Sequence, residues 1–507
     1  MQDYDNLPSN TPVLVGAGQY VQREATADSP MTLAARAARH ALDSAGGQGL
    51  AEAIDTVSVT RLFTDSMGMP ECPFGRSDNP PMSIARALGA APAHCIYGQV
   101  GGSEPQGRVI EFARDIARGE RSVVLLAGAE AIRNQRSAER AGQTLDWHES
   151  FDANEFPLED RGWGGMFVTM QEISNGLLAA MPYYALIEQA QATAKGRSTA
   201  QHRAAMAAQL APFSAVAAAN PHAQFPTALT PEDILAAPPL NHLYSKRMVA
   251  QDSVNQGAAL LMCSVAEARR LGIPTENWVF IHGLAQGEEV NLSERDELAR
   301  SVMGEAVLER ALAMAGKTID DISLVDIYSC FPCAVSTVAD FLGLPLDGSR
   351  PLTLTGGLAY FGGPGNNYVM HSLAEAVTQL REAPDAYAMV TAVGGMLSKH
   401  GAGIYSRQPS GVDWATADTQ LSRDTVPCRP VIEAPIEGRI ISHVVNYRGG
   451  EPVQGIILAE TAEGGRFVAC GAPGDGDTLA ALLTEDPAGR PVSVTPADNG
   501  ALHFCLA

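Results

Sequence analysis

The strongest constraint on the fold is a unit that the chain contains twice. Each copy is a strand, a turn rich in glycine and proline, an amphipathic helix and a second, buried strand. The first copy comprises His94–Gly119 and Ser122–Ala129, and the second comprises Pro351–Val377 and Ala386–Val393. Because a repeated unit of this kind is typical of a duplicated α/β half, we expect two halves whose glycine turns converge on one site.

The second copy shows what such a turn offers a ligand. Leu352–Thr355 predicts a strand, a turn with five glycines follows, and a helix is predicted from about Val369 to Arg381. Glycine lets a backbone approach a ligand closely. A helix that begins at the turn directs its free N–H groups back toward it, so both turns are candidate sites for an oxyanion or a phosphate.

The remaining chain predicts three further parts. A strand–helix–strand opening favours a parallel sheet, and the alternation stops between Arg133 and about Ala250, which we interpret as an inserted helical cap. Short alternating strands with Gly and Pro turns then predict a small β-barrel, of OB type. The predicted boundaries are 1–277 for the first half, 278–408 for the second half, 409–429 for a linker and 430–507 for the barrel.

Composition excludes two classes of partner. A net charge of -22 argues against nucleic acid and anionic membranes, which both select basic surfaces, and no run of 18 apolar residues is present. The segment at the start of this sequence lacks the pattern of a signal peptide, and eight scattered cysteines do not form a disulfide framework. We therefore expect a cytoplasmic protein.

With the duplicated halves, the cap and the two turns in this order, the chain resembles the thiolase superfamily. It is similar in particular to sterol-carrier-protein-type thiolases and thiolase-like proteins with an extra C-terminal domain. The resemblance implies two βαβαβ halves in α-β-α-β-α layers and chemistry on acyl-CoA thioesters, as in acetyl-CoA acetyltransferases. It also implies no tightly bound cofactor, with coenzyme A as part of the substrate. It implies a homodimer paired through the strand before the first turn, or a monomer if the added barrel covers that face.

The four loops that carry thiolase chemistry depart from the family here. Gly101 stands where the nucleophilic cysteine is expected, and Tyr328 replaces the Asn or His of the second loop. Gly363 replaces the histidine of the third loop, and Ala392 replaces the acid/base cysteine of the fourth. Without a thiolate no acyl-enzyme forms, and without a second thiol or imidazole no group is evident to remove the α-proton. The resemblance therefore implies the fold but not ordinary thiolysis.

Other residues on these loops are candidates for the site, each with a structural alternative. The catalytic candidates are Tyr328, His400, Ser103 and Asn366. The loops that would hold an oxyanion or ligand contain Gly101, Gly102, Gly363, Asn367 and Gly394, and the candidate CoA contacts are Arg203, Lys246, Arg247 and Lys399. The alternatives are a helix N-cap for Ser103, turn positions for the two asparagines, and a solvated helical face for the cap cations. No metal site is predicted, since the Cys330/Cys333 pair lacks a second ligand pair.

Three functions stay open at this stage. The first is an enzyme that acts on acyl-CoA by acyl transfer or by retro-aldol cleavage of a β-hydroxyacyl-CoA. The resemblance supports the latter, because a related branch of the superfamily uses tyrosine and an OB-fold partner. The second is an acyl-CoA binder or scaffold without catalysis, and the third is an assembly protein that works through its barrel.

Overall fold

The computed structural model describes residues 4–66, 69–165, 167–484 and 486–506. The strands up to the end of the first half are β1 (Pro12–Val21), β2 (Thr56–Val59), β3 (His94–Tyr97), β4 (Val123–Glu130), β5 (Leu158–Asp160) and β6 (Gln256–Ser264). The helices of this part are α1 (Pro30–Ala45), α2 (Leu50–Ala53), α3 (Pro80–Leu88), α4 (Glu104–Ala117), α5 (Ile132–Ala141), α6 (Met170–Ser174), α7 (Ala180–Ala194), α8 (Thr199–Ala219), α9 (Pro231–Ala236) and α10 (Val265–Arg270).

The second half and the C-terminal part follow. Their strands are β7 (Val279–Glu288), β8 (Leu324–Asp326), β9 (Tyr387–Gly394), β10 (Lys399–Ser406), β11 (Glu437–Arg448), β12 (Glu451–Glu460), β13 (Arg466–Gly471), β14 (Pro491–Pro496) and β15 (Leu502–Leu506). Their helices are α11 (Val302–Ala315), α12 (Pro332–Leu342), α13 (Tyr368–Glu382) and α14 (Gly476–Thr484).

The first ten strands form one mixed sheet in the order β5-β3-β2-β4-β6-β1-β7-β10-β9-β8. The two halves join through a short antiparallel pairing, in which Val13 faces Phe280 and Leu14 faces Val279. Read outward from this seam, each half begins with an antiparallel pair and ends with parallel strands. The duplication predicted from the repeated unit is confirmed.

The helices form three layers around the two halves of the sheet. The first repeat helix α4 and the second repeat helix α13 contact each other and the strands of both halves. The outer helices α1 and α11 pack against β1 and β7, respectively. Along β1, Val13 and Val15 join the core beneath α1, whereas Leu14 joins the core that contains α4 and α13. This arrangement confirms the predicted α-β-α-β-α layers.

Two details of the predicted strands were wrong. Leu352–Thr355 is not a strand, although its Leu and Thr residues favour one. Instead, the buried Asp326 at the end of β8 accepts hydrogen bonds from the N–H groups of Leu354 (2.7 Å) and Thr355 (3.2 Å). The second detail is β5, which sequence analysis did not predict and which pairs with the outer edge of β3.

The strands after the predicted linker close into a barrel in the order β11-β12-β13-β15-β14. The barrel packs on the inserted helical segment of its own chain. Ser442 donates to the Leu186 carbonyl in α7 (2.6 Å), and the rings of His443 and His242 stack with centroids 4.7 Å apart. No helix in the described part of the chain is long and apolar enough to cross a membrane.

Candidate active site

The two glycine turns meet where α4 and α13 begin. The Gly101 N–H donates to Asn366 Oδ1 across the interface between the halves (3.0 Å). Asn366 Nδ2 in turn donates to the Arg61 carbonyl (2.9 Å), and Asn367 Nδ2 donates to the Gly128 carbonyl (2.8 Å). Both asparagines are buried. Their amides therefore tie the second turn to three segments of the first half, and we call this meeting point the turn junction.

Tyr328 enters the junction from the second half. A Cβ atom on Gly102 would collide with the Tyr328 hydroxyl and would lie 2.5 Å from the Val393 carbonyl oxygen. The Tyr328 ring is buried and meets Tyr368 edge to face, with centroids 5.6 Å apart. Burial, with Cys330 and Tyr368 nearby, raises the pKa of the Tyr328 phenol well above its ordinary value. At neutral pH the phenol is therefore a hydrogen-bond donor and not a base.

Ser103 and Gly394 lie against each other at the turn junction. A Cβ atom on Gly394 would lie 2.8 Å from Ser103 Oγ and 3.3 Å from the Gly102 nitrogen, so the fourth loop touches the first. Ser103 stands at the N-cap of α4, but its side chain accepts no capping hydrogen bond. The capping alternative predicted from sequence is thus absent in this geometry, and the hydroxyl is available to other partners.

Lys399 lies on the side of the turn junction that borders a cavity. Its ammonium group lies 3.4 Å from the Val100 carbonyl oxygen and 4.7 Å from the centroid of the Phe167 ring. Burial lowers the pKa of Lys399, while Glu288 and Glu104 act in the opposite direction. The side chain borders a cavity of about 140 Å³, whose lining includes Gln99, Ser103, Glu104, Arg108, Glu288 and His400.

His400 borders the same cavity, but its hydrogen bonds lead away from Tyr328. Its Nε2 lies 3.0 Å from Ser301 Oγ and 3.2 Å from the Leu397 carbonyl oxygen. Ser301 Oγ donates to the buried Glu289 carboxylate (2.9 Å). Burial lowers the pKa of His400 to about 4, so the ring is neutral at pH 7. Within the described residues, no hydrogen bond joins His400 to Tyr328 or Ser103.

The other candidate CoA contacts lie apart from Lys399. Arg203 is half-buried near the barrel and donates to the His242 carbonyl (3.3 Å), and burial lowers its pKa. Lys246 and Arg247 are exposed in the segment that runs beside the second turn. In that segment the Gln251 carbonyl accepts from the Gly363 N–H (2.8 Å). The four predicted cations therefore do not form one cluster.

Sequence analysis missed Arg61 at the junction. Its Nε donates to the Gly98 carbonyl (2.9 Å), and its guanidinium lies over the Tyr97 ring, 4.2 Å from the centroid. Its carbonyl receives the Asn366 hydrogen bond described above. The available signal was a charged residue two positions after the buried strand that ends at Val59, since a charge in such a place requires partners.

Comparisons with known proteins agree with this architecture. No family model matches the sequence. The crystal structure of a monomeric SCP2-thiolase like protein type 1 from Mycobacterium smegmatis is 36% identical, covers 99% of this chain and 100% of that chain, and has a TM-score of 0.83. The structure of an Ltp2-ChsH2(DUF35) aldolase is 20% identical over 79% of this chain and 98% of that one, with a TM-score of 0.57.

A curated relative matches a smaller region. An acetyl-CoA acetyltransferase from Methanothermobacter thermautotrophicus is 28% identical over 183 residues. This match covers 32% of the present chain and 45% of that enzyme's length. The full-length similarity to the mycobacterial protein, together with the duplicated halves, confirms the resemblance inferred from the order of the halves, the cap and the turns. The chain belongs to the thiolase superfamily, among its SCP2-thiolase-like proteins.

Proposed function

We propose that this protein binds acyl-CoA thioesters at the turn junction and polarises the thioester carbonyl through the neutral Tyr328 phenol. The observation that carries this proposal is the contact between the Tyr328 hydroxyl and Gly102, at the start of α4. The Tyr328 phenol is therefore directed at the turn in which the family carries its nucleophilic cysteine. A donor positioned before the ligand arrives stabilises developing negative charge without reorganising.

The same geometry argues against thiolysis. Gly102 has no space for a side chain, and Gly101 has a φ of 145°, a conformation that residues with a Cβ rarely adopt. A neutral phenol does not replace a thiolate as a nucleophile. The chemistry left to the junction is stabilisation of an oxyanion or enolate by Tyr328, with Ser103 as a second hydroxyl beside it.

Lys399 supports an entry side for the CoA part of the ligand. It is the one predicted CoA contact that touches the first turn, and it borders the cavity beside Ser103. A partly buried ammonium group gains from a phosphate partner, because that partner restores the solvation lost on burial. Coenzyme A would arrive as part of the substrate, and the proposal includes no tightly bound cofactor.

Retro-aldol cleavage of a β-hydroxyacyl-CoA is the second candidate, favoured by the same phenol. In that reaction a base takes the β-hydroxyl proton and the Cα–Cβ bond breaks. Its electrons pass to the thioester as an enolate, which then takes up a proton at Cα, and a free aldehyde or ketone leaves. Tyr328 would donate to the enolate oxygen. The fold neighbour named as an aldolase acts with a DUF35 chain, whereas here the barrel belongs to the same chain.

The barrel and the sheet edge support two structural parts of the proposal. A closed barrel whose third strand pairs in parallel with the fifth, with α14 between the third and fourth, favours the OB assignment. Because β5 already pairs with β3, the edge expected to form a homodimer is occupied by the chain itself. We therefore propose a monomer in place of the expected homodimer, and cytoplasmic location stays a prediction.

The test is a calorimetric titration with acetyl-CoA, a long-chain acyl-CoA and free CoA. We expect acyl-CoA to bind more tightly than CoA, and Tyr328→Phe to remove that preference, a loss of about tenfold. Lys399→Ala should weaken all three ligands, whereas Lys317→Ala, remote from the junction, should weaken none. If no ligand binds, or if Tyr328→Phe keeps the preference, the proposal is wrong.

Turnover assays then separate the candidates. A carbonyl product released from β-hydroxyacyl-CoA, and lost in Tyr328→Phe, would establish retro-aldol cleavage. Binding without any turnover would leave the acyl-CoA binder. Thioester exchange with free CoA that survives Tyr328→Phe would contradict the proposal, because it would require a nucleophile other than the groups at this junction.

A further inference from the structure

One face of the inserted helix α7 packs against residues 328–331, which we call the Tyr328 loop. Tyr184 and Glu188 lie on this face, since residues four positions apart on a helix are neighbours. Both are buried, and the Tyr184 ring stacks on the Phe331 ring with centroids 4.3 Å apart and an interplanar angle of 18°. Phe331 directly precedes α12. The face of α7 therefore contacts the end of the Tyr328 loop.

Glu188 fixes the start of α12, which follows this loop. Its Oε2 accepts hydrogen bonds from the Cys333 N–H (2.8 Å) and the Tyr244 hydroxyl (3.0 Å), and its Oε1 lies 2.7 Å from His202 Nε2. Cys333 carries one of the N–H groups that a helix leaves free at its N-terminus. The residue at the N-cap of α12 is Phe331, which has no side-chain acceptor. Glu188 thus supplies, from another helix, the cap that α12 lacks in its own sequence.

The other end of the Tyr328 loop is held by the second half. The Tyr328 N–H donates to Thr391 Oγ1 in β9 (2.9 Å). Because only four residues separate Tyr328 from Cys333, a displacement of the start of α12 is passed on to the phenol. The place of the phenol against Gly102 therefore depends on two anchors, Thr391 at one end of the loop and Glu188 at the other.

Tyr184 connects the same face of α7 to the fourth loop. The Leu397 N–H donates to the Tyr184 hydroxyl (3.1 Å), and this hydroxyl donates to the Gly395 carbonyl (3.4 Å). Among the described residues, Leu397 is the one non-glycine residue with a positive φ, 55°. Such a conformation persists only where surrounding contacts impose it, and it is concentrated at functional sites. The face of α7 therefore holds the second and the fourth loop, which both contribute to the turn junction.

We propose that Glu188 is a positioning residue for Tyr328, and that it sets how strongly the turn junction prefers an acyl thioester over free CoA. This inference rests on the proposed function, because it requires that the phenol meets the thioester carbonyl, which free CoA lacks. Glu188 itself does not touch the ligand. It acts through the reach of its carboxylate to the Cys333 N–H, so the length of the side chain decides the effect and its charge does not.

Two substitutions separate reach from charge. Glu188→Gln keeps the length and an acceptor for Cys333, and its amide can donate to His202, whose Nδ1 has no partner among the described residues and can carry the ring proton. Glu188→Asp keeps the charge but is one methylene shorter. The full-length protein is titrated with acetyl-CoA and with free CoA by calorimetry. The preference for acetyl-CoA should stay within about twofold in Glu188→Gln and fall about fivefold or more in Glu188→Asp, while free CoA binds equally to both.

A double substitution tests the route of the effect. If Glu188 acts through the phenol, Glu188→Asp added to Tyr328→Phe should lower the affinity for acetyl-CoA no further than Tyr328→Phe alone. Glu172→Asp is the matched control. Glu172 is an equally buried carboxylate of the inserted segment, but it accepts from the Ser293 N–H (2.9 Å) and not from the Tyr328 loop. This control should keep the preference even if it unfolds at a lower temperature.

The results distinguish this inference from the proposed function. If the unmodified chain shows no preference for acetyl-CoA, or if Tyr328→Phe keeps it, the proposed function is wrong and the inference falls with it. If Tyr328→Phe removes the preference and Glu188→Asp keeps it, only the inference is wrong. A preference that Glu188→Gln loses would show that charge is decisive and would equally reject the inference.

Thermal unfolding verifies that each variant folds. If Glu188→Asp does not fold, Phe331→Leu takes its place, because it removes the aromatic stack between α7 and the Tyr328 loop. This variant should also lower the preference for acetyl-CoA, and a preference that it leaves intact would contradict the positioning role of α7.

Discussion

The two halves of the sheet end in different ways, although they arise from the same repeated unit. In the first half the repeat strand β3 is regular, and β5 pairs with its outer side, where Cys95 faces Leu158. In the second half the equivalent segment, Leu352–Thr355, leaves the sheet and is held by the Asp326 carboxylate. Backbone donors at a buried edge need partners. A duplicated fold can supply them with a strand in one copy and with a side chain in the other.

The two turns differ in the space that they leave. At the first turn, Gly102 lies against the Tyr328 hydroxyl and the Val393 carbonyl. At the second turn, a Cβ on Gly363 would be no closer than 3.4 Å to Ala250 and Gln251, and Gly363 does not have a positive φ. Position 102 is therefore covered by a residue of the other half, whereas position 363 has room for a small side chain.

Among the substitutions that test the two edges, Asp326→Ala should cause the largest loss of stability. It removes the acceptor of two buried N–H groups and of the Thr353 hydroxyl (3.1 Å). Leaving such donors unpaired should lower the free energy of unfolding by about 3–5 kcal/mol. Urea unfolding measures it, with the exposed Asp320→Ala as the matched control.

Asp326→Asn sharpens the same prediction. An amide keeps one acceptor oxygen for the two N–H groups but loses the negative charge, so we expect about half of the loss caused by alanine. If Asp326→Ala unfolds no more easily than Asp320→Ala, the carboxylate does not hold the segment, and the account of the second edge is wrong.

Gly102→Ala against Gly363→Ala tests the difference between the turns. The first variant should lose about 1–3 kcal/mol of unfolding free energy, because its methyl group collides with a phenol and with a backbone carbonyl. The second should change it by no more than about 0.5 kcal/mol, since its methyl group meets ordinary contacts. Thermal unfolding of the two proteins side by side is the measurement.

Tyr328→Phe separates the two contacts that make Gly102→Ala destabilising, one with the Tyr328 hydroxyl and one with the Val393 carbonyl. Added to Gly102→Ala, it removes the hydroxyl but leaves the Val393 carbonyl, so we expect partial recovery of stability. Full recovery would show that the phenol alone closes the first turn. No recovery would show that the backbone contact decides, and would weaken the case for Tyr328 as the residue that fills this turn.

The sequence predicted the repeated features of the fold because these depend on local patterns. Buried apolar runs such as Val123–Ala129 and the amphipathic pattern of α13 specify elements wherever they lie. Leu352–Thr355 was predicted wrongly because its strand propensity is real, while the hydrogen bonds of Asp326 come from a distant part of the chain. The strand β5 was missed because three residues, two of them acidic, give no strand pattern.

The sequence predicted which loops form the candidate site, but it did not predict the directions in which their side chains point. Spacing brought Tyr328, Ser103 and Asn366 to the junction because each follows a strand or begins a helix at the same end of the sheet. His400 follows the fourth loop as closely, but its ring bonds to Ser301 of another element. Arg203 is similar, since its partner His242 lies beside a barrel whose docking no local pattern reveals.

Asn366→Ala tests the link between the two turns and should have a smaller effect. It removes the acceptor of the Gly101 N–H and the donor to the Arg61 carbonyl. We expect a loss of about 1–2 kcal/mol in unfolding free energy, because each partner is buried but small. The exposed Asn154→Ala is the control. A loss no greater than that of the control would mean that the turns are held together by packing alone.

Glu159→Pro should have the smallest effect on stability, but it should change the oligomeric state. Proline in the three-residue β5 disrupts its pairing with β3 and should cost less than about 1 kcal/mol, since β5 is short and its last two residues are exposed. The uncovered edge of β3 then offers unpaired backbone groups to a second chain. We expect self-association that grows with concentration, measured by light scattering.

Glu159→Ala is the matched control for this last change, because it also loses the carboxylate that accepts from Arg161 (2.8 Å) but keeps the backbone donor. It should stay monomeric at every concentration, like the unmodified chain. A Glu159→Pro protein that also stays monomeric would show that β5 is not what keeps the β3 edge from pairing. If the unmodified chain is already a dimer, the homodimer expected from the family is correct. The backbone groups at the edge of the first half would then be paired by a second chain, as those of Leu352–Thr355 are paired by Asp326.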